Sequence, residues 1–405
     1  MFGYSKKEVG VSPGKIAWKK LKANYAAMAA LLWISVTIFI ATSGYLITPD
    51  SSPFANAQYL ELATQSPGTS ILFLTVKKNT DTRYKRGLSK MMYGSENPFD
   101  FLPIVSYRFE EDQIMLSKHT GYEGFEGMEV PVHIANVAFD IDSAKTENET
   151  IKVFLREGKK ELWSIDDIRE LIEDKHLITK RFLLGTDRFG RDILSQIIIG
   201  ARVSMSVGFI AITIALILGL ILGSLGGFFR GRIDNFIVWL INVVWSIPTL
   251  LLVIAITFAL GKGFWQIFIA VGLTMWVDVA RIVRGQIITL RENEYIEAAK
   301  ALGIPGFRII TRHLLPNITG PVVVISAANF ASAILIEAGL SFLGIGVQPP
   351  MPSWGNMIRE NYGYIILDKA YMAIIPGLCI MILVMAFMLL GNGLRQAIDK
   401  SPANY

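Results

Sequence analysis

Residues 294–317 read EYIEAAKALGIPGFRIITRHLLPN, a polar stretch between two long apolar segments. From Glu294 to Leu302 no residue breaks a helix. Tyr295, Ala298, Ala299 and Leu302 recur at i, i+3, i+4 and i+7 and share one face, while Glu294, Glu297 and Lys300 occupy others. Gly303 is placed to end the helix in a left-handed cap, and Pro305 blocks its continuation. A second short helix is expected from Gly306 to about His313. Pro316 then stands in the first turn of the next apolar helix, where proline is tolerated. The expected product is a short amphipathic helix lying across one end of a helical bundle. On these residues alone it either caps the bundle or docks into another protein's groove.

The bundle is expected from hydropathy. The chain has 405 residues, 52% of them hydrophobic, and a mean hydropathy of +0.43. These values favour a polytopic membrane protein with a soluble portion. A bilayer core needs roughly 20 apolar residues of helix. Ala23–Pro49, Val203–Phe229, Asn235–Gly261, Leu314–Ile336 and Ala370–Leu394 are uncharged; Gly263–Val277 is shorter and continues through Asp278 and Ala280. Six spans are therefore expected.

Positive charge orients them. Lys6, Lys7, Lys15, Lys19, Lys20 and Lys22 precede the first span, and Arg230 and Arg232 follow the second. Arg281, Arg284, Arg291, Lys300, Arg308 and Arg312 separate the fourth from the fifth, and Arg395 and Lys400 follow the sixth. All fall on one side, which is expected to be cytoplasmic together with both termini. The first span lacks a small-residue cleavage pattern and exceeds a signal h-region, so it is expected to be retained. The resulting division is a cytoplasmic segment (1–22), a first span (23–49), an external insert (50–182), a core with five spans (183–395) and a cytoplasmic tail (396–405). The polar loop of the core occupies 286–316.

Within the insert, SILFLTVKKN and IKVFLREGKKELWSI read as strands, and SIDDIRELIEDK reads as a helix. Ser164 is its expected N-cap, with Asp167 as the acidic partner. A small α+β domain outside the membrane is expected.

Gly219, Gly223 and Gly227 recur every four residues in the second span, where they allow close helix packing within the chain or against another subunit. Pro248, Pro321 and Pro376 are placed to bend their helices. Glu337, near the outer end of the fifth span, either lines a pathway or is a locally bonded helix-end carboxylate. Asp278 is placed to pair with Arg281 at i, i+3, with Arg284 nearby, in a structural, interface-setting role. Asp187, Arg188, Arg191 and Asp192 in GTDRFGRD either lock the outer mouth or form a solvated turn.

Other functions find no support. The net charge of +5 tracks the apolar segments rather than forming a nucleic-acid-binding face. Cys379 is the single cysteine and reads as a small buried hydrophobe. His119, His133, His176 and His313 show no metal-ligand spacing, so no metal is assigned. The chain has no G-x-x-x-x-G-K-[ST] phosphate loop and is not expected to be an enzyme by itself.

EAAKALG followed by HLLP resembles the EAA signature of ABC importer permeases, through Glu297, Ala298, Ala299, Gly303, Leu315 and Pro316. His313 departs from the general pattern, although RHLLPN is similar to the peptide-permease version. LGTDRFGRDILSQIIIGARVS (Leu184–Ser204) and LSFLGIGVQPPMPSWGNMI (Leu340–Ile358) resemble segments of the second, C-type membrane subunit of dipeptide and oligopeptide importers. The likeness is loose over the first span and close over Leu183–Asp399. It leaves out the long insert.

This resemblance implies an all-α, six-span, type I ABC importer permease fold carrying an α+β periplasmic insert in the bacterial inner membrane. It implies a homologous permease partner, two ABC ATPase subunits that bind ATP and Mg, and an external substrate-binding protein, with no cofactor in this chain. It also implies an ATPase-coupling helix containing Glu294, Tyr295, Glu297, Ala298, Ala299, Leu302 and Gly303. Peptide is the expected cargo. Related machinery carries nickel complexes, sugars or peptide-like antibiotics. An ion-coupled secondary transporter would be expected to show inverted repeats and more ionisable residues at mid-membrane. A membrane-anchored receptor would leave the EAA stretch unexplained.

Overall fold

A computed structural model describes residues 13–78, 85, 87–121, 127–147, 149–156, 158–261 and 263–398. Lys6, Lys7 and Lys400 lie outside the described residues, as does most of the expected tail.

The chain enters through α1 (Pro13–Ala23) and α2 (Tyr25–Ile47). Asn24 between them caps α2, its side-chain oxygen accepting from the Ala27 N–H at 3.1 Å.

The insert follows, with β1 (Thr69–Lys77), α3 (Gly87–Tyr93), β2 (Phe99–Glu110), β3 (Gln113–Lys118), β4 (Glu129–His133) and α4 (Ile134–Ala138). It continues through β5 (Ile141–Glu147), β6 (Thr150–Leu155), β7 (Lys160–Ser164), α5 (Ile165–Leu171) and β8 (Leu177–Phe182). One antiparallel sheet has the order β4-β3-β2-β1-β8, and a second has β5-β6-β7. In β1, Leu72 faces Ile104 of β2 on one side and Thr179 of β8 on the other. Because strand side chains alternate, Ile71 and Phe73 pack with Leu62 and Phe182, whereas Leu72 and Leu74 pack with Ile114, Ile134 and Ile168. Each face of β1 therefore has its own apolar core. Ser164 caps α5 by accepting from the Asp166 N–H; the side chain of the expected partner, Asp167, makes no hydrogen bond among the described residues.

The remaining helices are α6 (Ile193–Phe229), α7 (Gly231–Trp245), α8 (Thr249–Leu260), α9 (Phe264–Arg291), α10 (Glu294–Ala301), α11 (Gly306–Ile309), α12 (Thr319–Phe342), α13 (Trp354–Asn361) and α14 (Tyr371–Ile398). Among the described residues, five segments are long and apolar enough to cross a bilayer: α2, α6, α9, Gly306–Phe342 and α14. A sixth crossing would be the pair α7–α8, bent by 93°. The expected third span is thus broken. Pro248, at the break, has no N–H to continue the helical ladder. The fourth span is not short, because α9 runs 28 residues to Arg291. The second begins ten residues before Val203; at 37 residues α6 extends about 55 Å, well beyond a ~30 Å hydrocarbon core.

The glycine stripe packs within the chain. A methyl group on Gly219, Gly223 or Gly227 would stand 2.5 Å from the Val279 side chain, 2.6 Å from the Ala280 carbonyl or 2.9 Å from the Arg284 carbonyl, respectively. These positions bring the α6 backbone directly against α9.

Candidate functional site

α10 stands between α9 and α12 in the chain, and its Ile296 and Ala299 join the core of α6 and α9. Glu294 and Glu297 fall in its first turn and Lys300 in its last, an arrangement favoured by the helix dipole. The helix closes in a Schellman motif. Gly303 N–H bonds to the Lys300 carbonyl at 2.9 Å, Ile304 N–H bonds to Ala299 at 3.1 Å, and Gly303 has φ +74°. The expected second helix, Gly306 to about His313, is present as α11 continued by one π-helical turn, Ile310–Leu314; Pro316 stands in a 3-10 turn before α12.

The two sides of α10 differ. Ile296 is fully buried and Ala299 nearly so, in one core with Ile309, Ile310 and Leu314. Tyr295, Ala298 and Leu302 face outward, and Leu302 is 80% exposed beside Phe307 at 78%. Ala299 therefore does not share an outer face with Tyr295, Ala298 and Leu302. The helix is apolar on two adjoining faces, and the chain's own core takes the face bearing Ile296 and Ala299. The sequence reading missed Ile296 and Phe307; the signal for Ile296 was its three-residue spacing from Ala299.

The end of α9, just before α10, is tied to the end of α6, and Lys300 of α10 reaches the same place. Arg291 donates to the Phe228 carbonyl at 2.6 Å, Arg230 pairs with Glu292 at 2.7 Å, and the Lys300 ammonium lies 5.6 Å from the Phe228 ring centre.

At the opposite end of α6, GTDRFGRD is a buried junction rather than a solvated turn. Asp187 pairs with Arg191 at 2.6 Å and accepts from the backbone N–H groups of Phe189 and Arg191. Arg191 also reaches Glu360 at 2.7 Å. Asp192 caps α6, accepting from the Ser195 N–H at 2.9 Å. Arg188 alone of the four points outward, over the Phe189 ring. The base of the insert is joined here: Tyr59 N–H bonds to the Phe189 carbonyl and Thr64 N–H to that of Asp187. Gly190 (φ +71°) has no room for a Cβ because the Tyr59 carbonyl occupies its place.

Glu337 does not line an open surface, being fully buried in α12. Ser341 donates to it at 2.7 Å, Ser353 donates to Ser341 at 3.3 Å, and Asn356 reaches the Val347 carbonyl at 2.6 Å. This chain of bonds folds the loop after α12 back onto the helix. The expected pairing of Asp278 with Arg281 is reduced to charge attraction at a distance, without a direct ion pair among the described residues. Arg281 lies 3.4 Å from the Trp245 ring centre, and Arg284 grips Asp234 through two bonds at 2.5 and 2.7 Å. Among the described residues no three His, Cys, Asp or Glu side chains form a metal-ligand group. Cys379 is half-buried in α14.

Comparison with known proteins matches residues 215–403 to the family described as binding-protein-dependent transport system inner membrane component. The dipeptide transport system permease protein DppC of Alkalihalophilus pseudofirmus is 42% identical over 215 residues, covering 53% of this chain and 70% of that protein. The glutathione transport system permease protein GsiD of Pectobacterium atrosepticum is 38% identical over 53% of this chain and 71% of its own length. The oligopeptide transport system permease protein OppC of Bacillus subtilis is 37% identical, with 55% and 72% covered.

Proposed function

Because the chain belongs to the family of binding-protein-dependent ABC importer permeases, and is a multi-pass membrane subunit of that family, we propose that it carries peptides inward, paired with a homologous permease and powered by two ABC ATPase subunits. The carrying observation is the divided surface of α10. Ile296 and Ala299 fasten the helix to the bundle, while Tyr295, Ala298 and Leu302 leave an apolar ridge outside it. Such a ridge suits a groove in an ATPase subunit. Closure of the ATPases around ATP and Mg would move α10, and the packing of Ile296 and Ala299 in the bundle core, with Lys300 over Phe228, would pass that movement to α6 and α9.

The names of the relatives support a peptide cargo: dipeptide, glutathione and oligopeptide. The basic ends of the spans support a cytoplasmic α10 and termini, with the insert outside. There the insert, fastened to the outer junction, would meet the substrate-binding protein or the partner permease.

The test is transport by the complete complex in proteoliposomes, with ATP on the side of α10 and the binding protein on the other. ATP-dependent accumulation of labelled trialanine is expected, without accumulation of sugars or nickel complexes. A complex that hydrolyses ATP and accumulates only one of those other cargoes would refute the peptide reading.

A further inference from the structure

Where α7 breaks into α8, a cavity of about 260 Å³ opens between the break, α9 and α12. Trp245, Thr249, Thr274, Asp278 and Ser332 line it. Asp278 lies near the middle of α9, a helix long and apolar enough to cross a bilayer, and is half-buried. Among the described residues no hydrogen bond or ion pair reaches its carboxylate. Of the two cations nearest in sequence, Arg281 attracts the carboxylate without forming an ion pair and lies over Trp245, and Arg284 is held by Asp234. A carboxylate inside a membrane is costly unless it meets a cation or water, and such residues commonly mark a substrate or ion path.

The surroundings suit a primary ammonium. It has three N–H donors, and the cavity wall offers a carboxylate with the hydroxyls of Thr249, Thr274 and Ser332. Thr274 donates to the Val271 carbonyl, which leaves its oxygen free to accept. The cavity is smaller than sites that enclose a whole drug-sized ligand, so it fits the end of a peptide rather than all of it. We propose that Asp278 receives the protonated amino terminus of the peptide during its passage through the permease. This rests on the peptide reading above. It also replaces the purely structural role expected for Asp278 with one in substrate recognition.

The test uses the complete importer in proteoliposomes, with the binding protein saturated by trialanine, whose only ammonium is its amino terminus. Asp278→Asn should slow transport about tenfold, equivalent to about 1.4 kcal/mol, with the subunits still copurifying. Asp278→Glu should recover a large part of the rate. N-acetyltrialanine, also at saturation of the binding protein, should pass the parent and Asp278→Asn at one equal, slow rate. Trialanine transport by Asp278→Asn within about twofold of the parent would overturn the proposal; so would Asp278→Glu being as slow as Asp278→Asn, since charge would then not matter. If Asp278→Asn fails to assemble, Ser332→Val on the facing helix becomes the deciding variant. It should slow trialanine a few-fold and leave N-acetyltrialanine alone, and equal effects on both would overturn the proposal. A parent complex that moves no trialanine would instead defeat the peptide reading itself.

Discussion

Arg191 is held by two carboxylates, Asp187 at 2.6 Å and Glu360 at 2.7 Å, with only 7% of its side chain exposed. Removing one member of a buried pair leaves uncompensated charge, at a cost of about 3–5 kcal/mol. Arg191→Met should therefore lower the chemical-denaturation midpoint of the purified chain strongly. The triple variant Asp187→Asn, Arg191→Met, Glu360→Gln should recover much of that loss, and equal instability of both would remove the ion pairs as the cause. Lys180 shows the opposite balance. Its ammonium sits 3.3 Å from the Phe101 ring centre, and burial pulls its pKa from 10.5 down to about 8. Between those values the unfolded chain binds more protons than the folded one, so this site's contribution to stability rises with pH through that window. Lys180→Met should raise the unfolding midpoint at pH 7, and the gain should shrink towards pH 10. A gain unchanged across that range would exclude ammonium burial as its source. Gly303 was legible in advance because Gly-x-Pro after an apolar helix calls for a left-handed stop, and its φ is +74°.

At the scale of the element, α10 separates two kinds of damage. Ala299 is packed in this chain's core, where overpacking costs about 1–3 kcal/mol, so Ala299→Leu should reduce the yield of folded permease. Ala298 faces outward, so Ala298→Leu should leave yield unchanged and weaken copurification with the ATPase subunits. The reverse pattern would contradict the orientation of α10. Periodicity could not assign these roles, because Tyr295, Ile296, Ala298 and Ala299 make both adjoining faces apolar and only the bundle decides which is covered. Hydropathy revealed the spans but not the 93° break between α7 and α8, since no charge interrupts Asn235–Gly261. Pro248 marked the place, while the angle depends on packing around it. SILFLTVKKN read as a strand and is β1, but its neighbour β8 lies a hundred residues later, and such long-range pairing leaves no local signal.

Across the whole molecule, the long α6 joins the two ends of the proposed machine. Its N-terminus is capped by Asp192 beside the insert, and near its C-terminus Phe228 lies under Lys300 of α10. In the proposed importer these ends lie on opposite sides of the membrane. With Cys379→Ser as background, Asp142→Cys on the exposed insert should react with an impermeant thiol reagent in intact spheroplasts. Protection until the membrane is broken would reverse the orientation. The most direct test of the central claim places a photo-crosslinking amino acid at Leu302, the most exposed apolar position of the ridge, and irradiates the intact importer. The expected product joins this chain to an ATPase subunit, identified by mass spectrometry, and its yield should change when ATP closes the ATPases. Cross-linking confined to lipid, to this chain itself or to the external binding protein would contradict the assignment of α10 as the coupling helix.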